Sequence, residues 1–127
     1  MPTMEQAELA RYLTVAQTAV ICDVQERRVR NWQGLGLLVP ATKKGLLQYR
    51  RADVIRCAVL LQLQSIFGQD SALAVELARG LDAGHLDGLL DMEQPVITVH
   101  AVGRTFCVQL DPDQLSIIRE RLAAVPR

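Results

Sequence analysis

Arg27, Arg28, Arg30 and Asn31 lie close together, and Lys43, Lys44, Arg50 and Arg51 follow a short distance on. A guanidinium or carboxamide can make two hydrogen bonds at once to the edge of guanine or adenine, and any of these cations can neutralise phosphate. On a helical wheel advancing about 100° per residue, Val29 and Trp32 share one side. Arg27, Arg30 and Asn31 point the opposite way, with Arg28 on the flank. Such a helix packs with one side and offers the other to a polyanion.

The surrounding residues supply the elements that would hold these groups. Thr14 with Gln17 three positions on is a capping-box pattern, which predicts a helix to about Ile21. Asp23 with Glu26 repeats the pattern and predicts a second helix ending near Gly34 or Gly36, with Val29 and Trp32 packed against Ala19 and Val24. Pro40 is expected to stop further structure. Lys43-Lys44-Gly45 reads as a loop tip, and Leu46-Leu47 with Tyr49 as a short strand. Met4 to Tyr12 reads as a helical leader. Ala52 to Phe67 predicts an apolar helix, with Val54, Ala58 and Leu61 on one stripe and Gly68 as its stop. Two short helices, a tight turn and a charged loop in this order describe a helix-turn-helix with a wing, whose second helix suits the DNA major groove.

Over Leu13 to Phe67 the chain resembles the N-terminal domain of MerR-family winged-helix regulators. The matching residues are Ala19, Val24, Arg30, Trp32, Gly36-Leu37-Leu38, Pro40, and Tyr49 ahead of Asp53-Val54. Two positions depart from the family pattern. Asp23 replaces the turn glycine, and aspartate enters the left-handed region more readily than most residues. Leu46-Leu47 stands where a tyrosine-arginine pair is usual in the wing. The resemblance implies dimeric DNA binding. The family's long coiled-coil helix is not expected here, because Gly68, Gly80, Gly84 and Gly88 break the relevant region.

The remainder has a different character. Asp70 or Ser71 should cap a helix reaching Arg79 and closed by Gly80, and Asp82 to Leu90 should form at most one or two helical turns. Val96–Val102 and Thr105–Leu110 flank Gly103-Arg104, which suggests a type II′ hairpin. That register sets Ala101 opposite Phe106, Val99 opposite Val108 and Ile97 opposite Leu110. The other face then pairs Val102 with Thr105, His100 with Cys107 and Thr98 with Gln109. Asp111-Pro112-Asp113-Gln114 starts a last helix with the stripe Leu115, Ile118, Leu122 and Val125. An exposed hairpin edge can pair with its twin, so this unit is the expected homodimer contact.

The expected fold is therefore α+β and mainly helical. A MerR-like winged helix-turn-helix would occupy residues 10–67. An accessory and dimerisation unit would occupy 68–127, with a helix, a β-hairpin at 96–110 and a helix at 112–125.

Composition narrows the function. The formal net charge is zero, but residues 1–66 hold nine basic and five acidic residues, and residues 67–127 hold five basic and nine acidic. A polyanion is drawn to the first half and repelled by the second. There is no run of the ~20 apolar residues that a membrane span needs, and the N-terminus lacks a signal peptide's apolar segment, so a cytoplasmic location is expected. Cys22, Cys57 and Cys107 show no zinc or thioredoxin-like spacing and read as small buried hydrophobes. His100 and Cys107 together are too few ligands for structural zinc. Asp82, Asp87, Asp91 and Glu93 read as a solvated acidic face, and no phosphate loop, nucleophile elbow or HExxH occurs. The expectation is a sequence-specific, DNA-binding transcriptional regulator without a cofactor, and not an enzyme. Two other readings stand beside it: an architectural or excisionase-like recombination factor, and a protein-interaction adaptor with a degenerate winged helix.

Overall fold

The structure, a computed structural model, describes residues 12–43 and 45–125. The expected helical leader falls outside them except for Tyr12, which opens the first strand, and Lys44 also falls outside. Among the described residues the fold is α+β, about 55% helix, with six helices and two small antiparallel sheets.

Strand β1 (Tyr12–Thr14) leads directly into helix α1 (Val15–Cys22). The predicted capping box is present: Gln17 N–H donates to Thr14 Oγ1 at 3.1 Å, and Thr14 N–H donates to Gln17 Oε1 at 3.0 Å. The second capping box is absent. Asp23 instead closes α1 in the left-handed conformation, with φ 55° and ψ 52°, as a turn aspartate can. Committed to that turn, it leaves the N-cap of α2 (Glu26–Gly34) to Gln25, which makes no side-chain cap bond.

Pro40 does not end structure but begins β2 (Pro40–Lys43), which pairs antiparallel with β3 (Leu46–Arg50). The sheet order β1-β3-β2 puts β2 at an edge, where a missing N–H is tolerated. Gly45, at φ 79°, supplies the left-handed turn between the two strands.

Helix α3 (Arg51–Phe67) is the central element. The predicted single stripe is exceeded, since every residue from Asp53 to Leu60 is buried, including Asp53 and Arg56. Helix α4 (Ala72–Arg79) is capped by Ser71, whose Oγ accepts from Ala74 N–H at 3.3 Å, and α5 (Ala83–Leu89) is the short helix expected there.

The hairpin β4 (Val96–Ala101) and β5 (Arg104–Gln109) forms in a register two residues from the expected one. Its turn is Val102-Gly103, with φ 48° and 72°, which is the sign pattern of a type I′ turn. Ile97 therefore faces Val108, Val99 faces Phe106 and Ala101 faces Arg104. His100 faces Thr105, and Cys107 faces Thr98, so the expected His100–Cys107 pairing does not occur. A two-residue shift keeps every side chain on its own face, so alternation alone could not choose between the registers. Leu110 lies beyond the last pair, with its N–H donating to Pro95 O at 2.8 Å and its side chain buried.

Helix α6 (Pro112–Ala123) begins as predicted, with Asp111 Oδ1 accepting from Asp113 N–H at 2.9 Å. Leu115, Ile118 and Leu122 are buried, and Val125 packs at the edge of the core. A single apolar cluster runs from Leu13, Val29 and Trp32 through α3 to Leu77, Leu110 and Ile118.

Candidate nucleic-acid interface

Helix α2 divides as the wheel predicts. Val29 and Trp32 are fully buried, while Arg27, Arg30 and Asn31 are exposed. With Gln25 and Arg28 these three line a shallow open cleft on the surface. Arg30 Nη2 stands 3.9 Å from Glu26 Oε1, but both side chains are more than half exposed, so this pair constrains Arg30 little.

Arg28 behaves differently. Its Nη2 donates to Gln64 Oε1 on α3 at 2.7 Å, and the guanidinium lies 5.7 Å from the centre of the Trp32 ring. The hydrogen bond to Gln64 ties α2 to α3, and the cation–π contact, within α2 itself, steadies the guanidinium. Two further ties fix the same helix. Tyr49 Oη donates to Gln33 Oε1 at 2.6 Å. The Arg79 guanidinium, on α4, donates to the Leu35 carbonyl just past the end of α2, through Nε at 2.9 Å and through Nη2. Burial pushes the Tyr49 phenol above its ordinary value, partly offset by the Arg30 charge. The phenol thus stays protonated as the donor.

The remaining predicted residues are distributed along the sheet and the start of α3. Lys43 ends β2. Arg50 is half-exposed and bonds the buried Asp53 carboxylate through Nε and Nη2, both at 3.2 Å. Asp53 also accepts from Val39 N–H at 3.3 Å and faces Arg56 Nε at 3.7 Å. Arg51 is half-buried at the first position of α3. Arg27, Arg30 and Asn31 thus form one surface, and Arg28 and Arg50 have internal partners.

Sequence reasoning missed three arginines that organise this surface. Arg56 Nη1 donates to the carbonyls of Ala78, Arg79 and Leu81 at the end of α4. Arg79 serves the end of α2, and Arg121 Nη1 donates to Ile21 O at the end of α1, at 3.0 Å. Cations favour helix C-termini, where carbonyls lack intrahelical donors. The sequence carried one hint, that α1 and α2 have no basic residue in their own last turns, and it does not say which distant arginine serves them.

The other candidate chemistry is dispersed. His100 Nδ1 lies 2.8 Å from Thr105 Oγ1, and Cys107 Sγ lies 3.6 Å from Thr98 Oγ1, both on the exposed hairpin face. Cys22 and Cys57 are buried as expected, but Cys107 is exposed because it sits on the outward side of β5. Burial pushes the Cys22 thiol up to about 12, against smaller opposing effects of Arg121 and Arg28, and burial also raises Cys57 well above its ordinary value. Among the described residues, no group of three or more His, Cys, Asp or Glu is placed to hold a metal ion. Asp82, Asp91 and Glu93 are exposed. No helix among the described residues is long and apolar enough to cross a membrane.

No protein-family model matches the chain, and no curated protein matches it.

Proposed function

We propose that this protein is a sequence-specific, DNA-binding transcriptional regulator with a MerR-like winged helix-turn-helix at residues 10–67. In this reading α1 and α2 form the helix-turn-helix, and the β2–β3 loop forms the wing. The observation that carries it is the division of α2. Arg27, Arg30 and Asn31 face solvent on one side, and the buried Val29 and Trp32 anchor the other. An anchored helix bearing unburied guanidinium and carboxamide groups is the chemistry that reads base edges in a major groove. Lys43, Lys44 and Arg51 contact phosphate, and Arg50 adds its solvent-facing N–H groups. Arg28 positions the helix.

The protein acts in the cytoplasm as a homodimer through the accessory unit at 68–127. Supporting this, β4 and β5 form a two-stranded sheet, and among the described residues each has one edge without a neighbouring strand. Light scattering on the full chain is expected to give twice the 14.1 kDa of one copy, and a monomeric mass would remove the dimer from the proposal.

The test of DNA binding is fluorescence anisotropy with duplexes enriched from a random pool, repeated across salt. Affinity should fall steeply as salt rises, with a log–log slope set by the phosphates neutralised. Arg30→Ala should weaken the selected site by about 1–3 kcal/mol. Affinity that is flat in salt, or failure to enrich any sequence, would overturn the assignment.

A further inference from the structure

A groove of about 790 Å³ runs between the outer side of α3 and α6, bounded at one end by the α1–α2 turn. Leu61 and Ile118 lie in it, and Ile66 and Ile117 stand on its rim, 56% and 37% exposed. Its volume falls within the ~300–1,000 Å³ common for small-molecule sites. Arg28 and Arg121 line it where α1 turns into α2. Both are half-buried, and each makes one hydrogen bond to a neutral oxygen, Gln64 Oε1 or Ile21 O. A guanidinium carries five N–H donors, so most of their capacity is unspent.

The two cations share one neighbourhood, since both line the groove with Cys22 where α1 ends. Among the described residues neither is ion-paired. Asp23 and Asp111 line the groove but form no salt bridge with either, and Asp111 is occupied as the cap of α6. Two partly desolvated like charges without a counter-ion attract an anion, and a carboxylate meets guanidinium geometry in a bidentate manner. Leu61, Ile66 and Ile117 beside them offer an apolar surface for the rest of such a molecule. We propose that this groove binds an organic carboxylate with an apolar body, its carboxylate held by Arg28 and Arg121 and its chain lying on Leu61, Ile66 and Ile117. The site does not depend on α2 meeting DNA.

Trp32, the chain's one tryptophan, lies under the Arg28 guanidinium and reports on it. The experiment titrates the full chain with decanoate below its micellar range, following Trp32 emission and heat. Decanol, with a similar chain but no charge, and acetate, with the charge but no chain, serve as the other arms. Saturable decanoate binding is expected, with each control weaker by about tenfold or more. Arg121→Gln keeps a donor for Ile21 O and should weaken binding by about tenfold. Ile117→Glu, a change at a surface position, should abolish it. Absence of saturable decanoate binding, decanol binding as well as decanoate, or an Ile117→Glu variant that binds like the parent would each overturn the proposal.

Discussion

Arg56 Nη1 lies 2.7 Å from the Ala78 carbonyl oxygen, joining the middle of α3 to the end of α4. The same guanidinium meets Leu81 O and faces Asp53, so one buried side chain satisfies backbone acceptors and a carboxylate together. With Arg79 at Leu35 and Arg121 at Ile21, it completes a set of three helix ends closed by cations from other helices.

Arg56→Leu should therefore be strongly destabilising, because it removes the donor shared by the Ala78, Arg79 and Leu81 carbonyls and weakens the compensation of the buried Asp53 charge. A loss of about 3–5 kcal/mol is expected by urea denaturation. Arg56→Lys should recover only part of it, since an ammonium cannot span these acceptors as a fork does.

Salt dependence separates the two kinds of arginine on α2. Arg27→Ala should lower DNA affinity and reduce the log–log salt slope by about 1, the signature of a lost phosphate contact. Arg28→Ala should lower affinity while leaving the slope unchanged, since its guanidinium works on Gln64 and Trp32. A fall in slope for Arg28→Ala would place that residue on DNA directly.

Gly80 sits against the hairpin so closely that an added Cβ would lie 2.9 Å from Val99 Cγ1. Its φ of −73° is ordinary, so the constraint is space rather than backbone. Gly80→Ala should cost about 1–3 kcal/mol by overpacking. In the Val99→Ala background the same change should cost less, and a double-mutant cycle by thermal denaturation reads that coupling.

Val102 occupies the left-handed region with φ 48°, where a β-branched residue is strained. Val102→Asn would create the Asn-Gly pair favoured in type I′ turns. It should stabilise the protein by about 1 kcal/mol and raise the melting temperature by a few degrees.

The Cys22 thiol gives a pH dependence whose sign is fixed. Its folded value of about 12 lies above that of an unfolded cysteine. The unfolded chain thus loses a proton at lower pH than the folded one. Stability from this group is full below about pH 8 and declines from there toward pH 12. Cys57 adds to the same trend. Unfolding free energies from urea denaturation should fall between about pH 8 and pH 10, by on the order of 2 kcal/mol for Cys22, and Cys22→Ala should shrink the fall.

Local signals were read well from the chain. Thr14, Ser71 and Asp111 capped the helices predicted for them, and the wheel divided α2 correctly, because both depend on near neighbours. Asp23 was legible as a turn residue and misread as a cap, since the two roles compete for one residue. The hairpin register escaped because moving the turn by one residue shifts the pairing by two, which preserves the same faces. Arg56, Arg79 and Arg121 look like surface charges in sequence, and their carbonyl partners become visible only once distant helices meet.

The cross-helix arginines also bear on how this chain can vary over time. Ile21 depends on a guanidinium from the final helix, Leu35 on one from α4, and Ala78 on one from α3. A recombination event that swapped either half for a foreign segment would orphan donors and acceptors on both sides of the crossover. The two halves are therefore tied by contacts that neither can make alone, however different their charge.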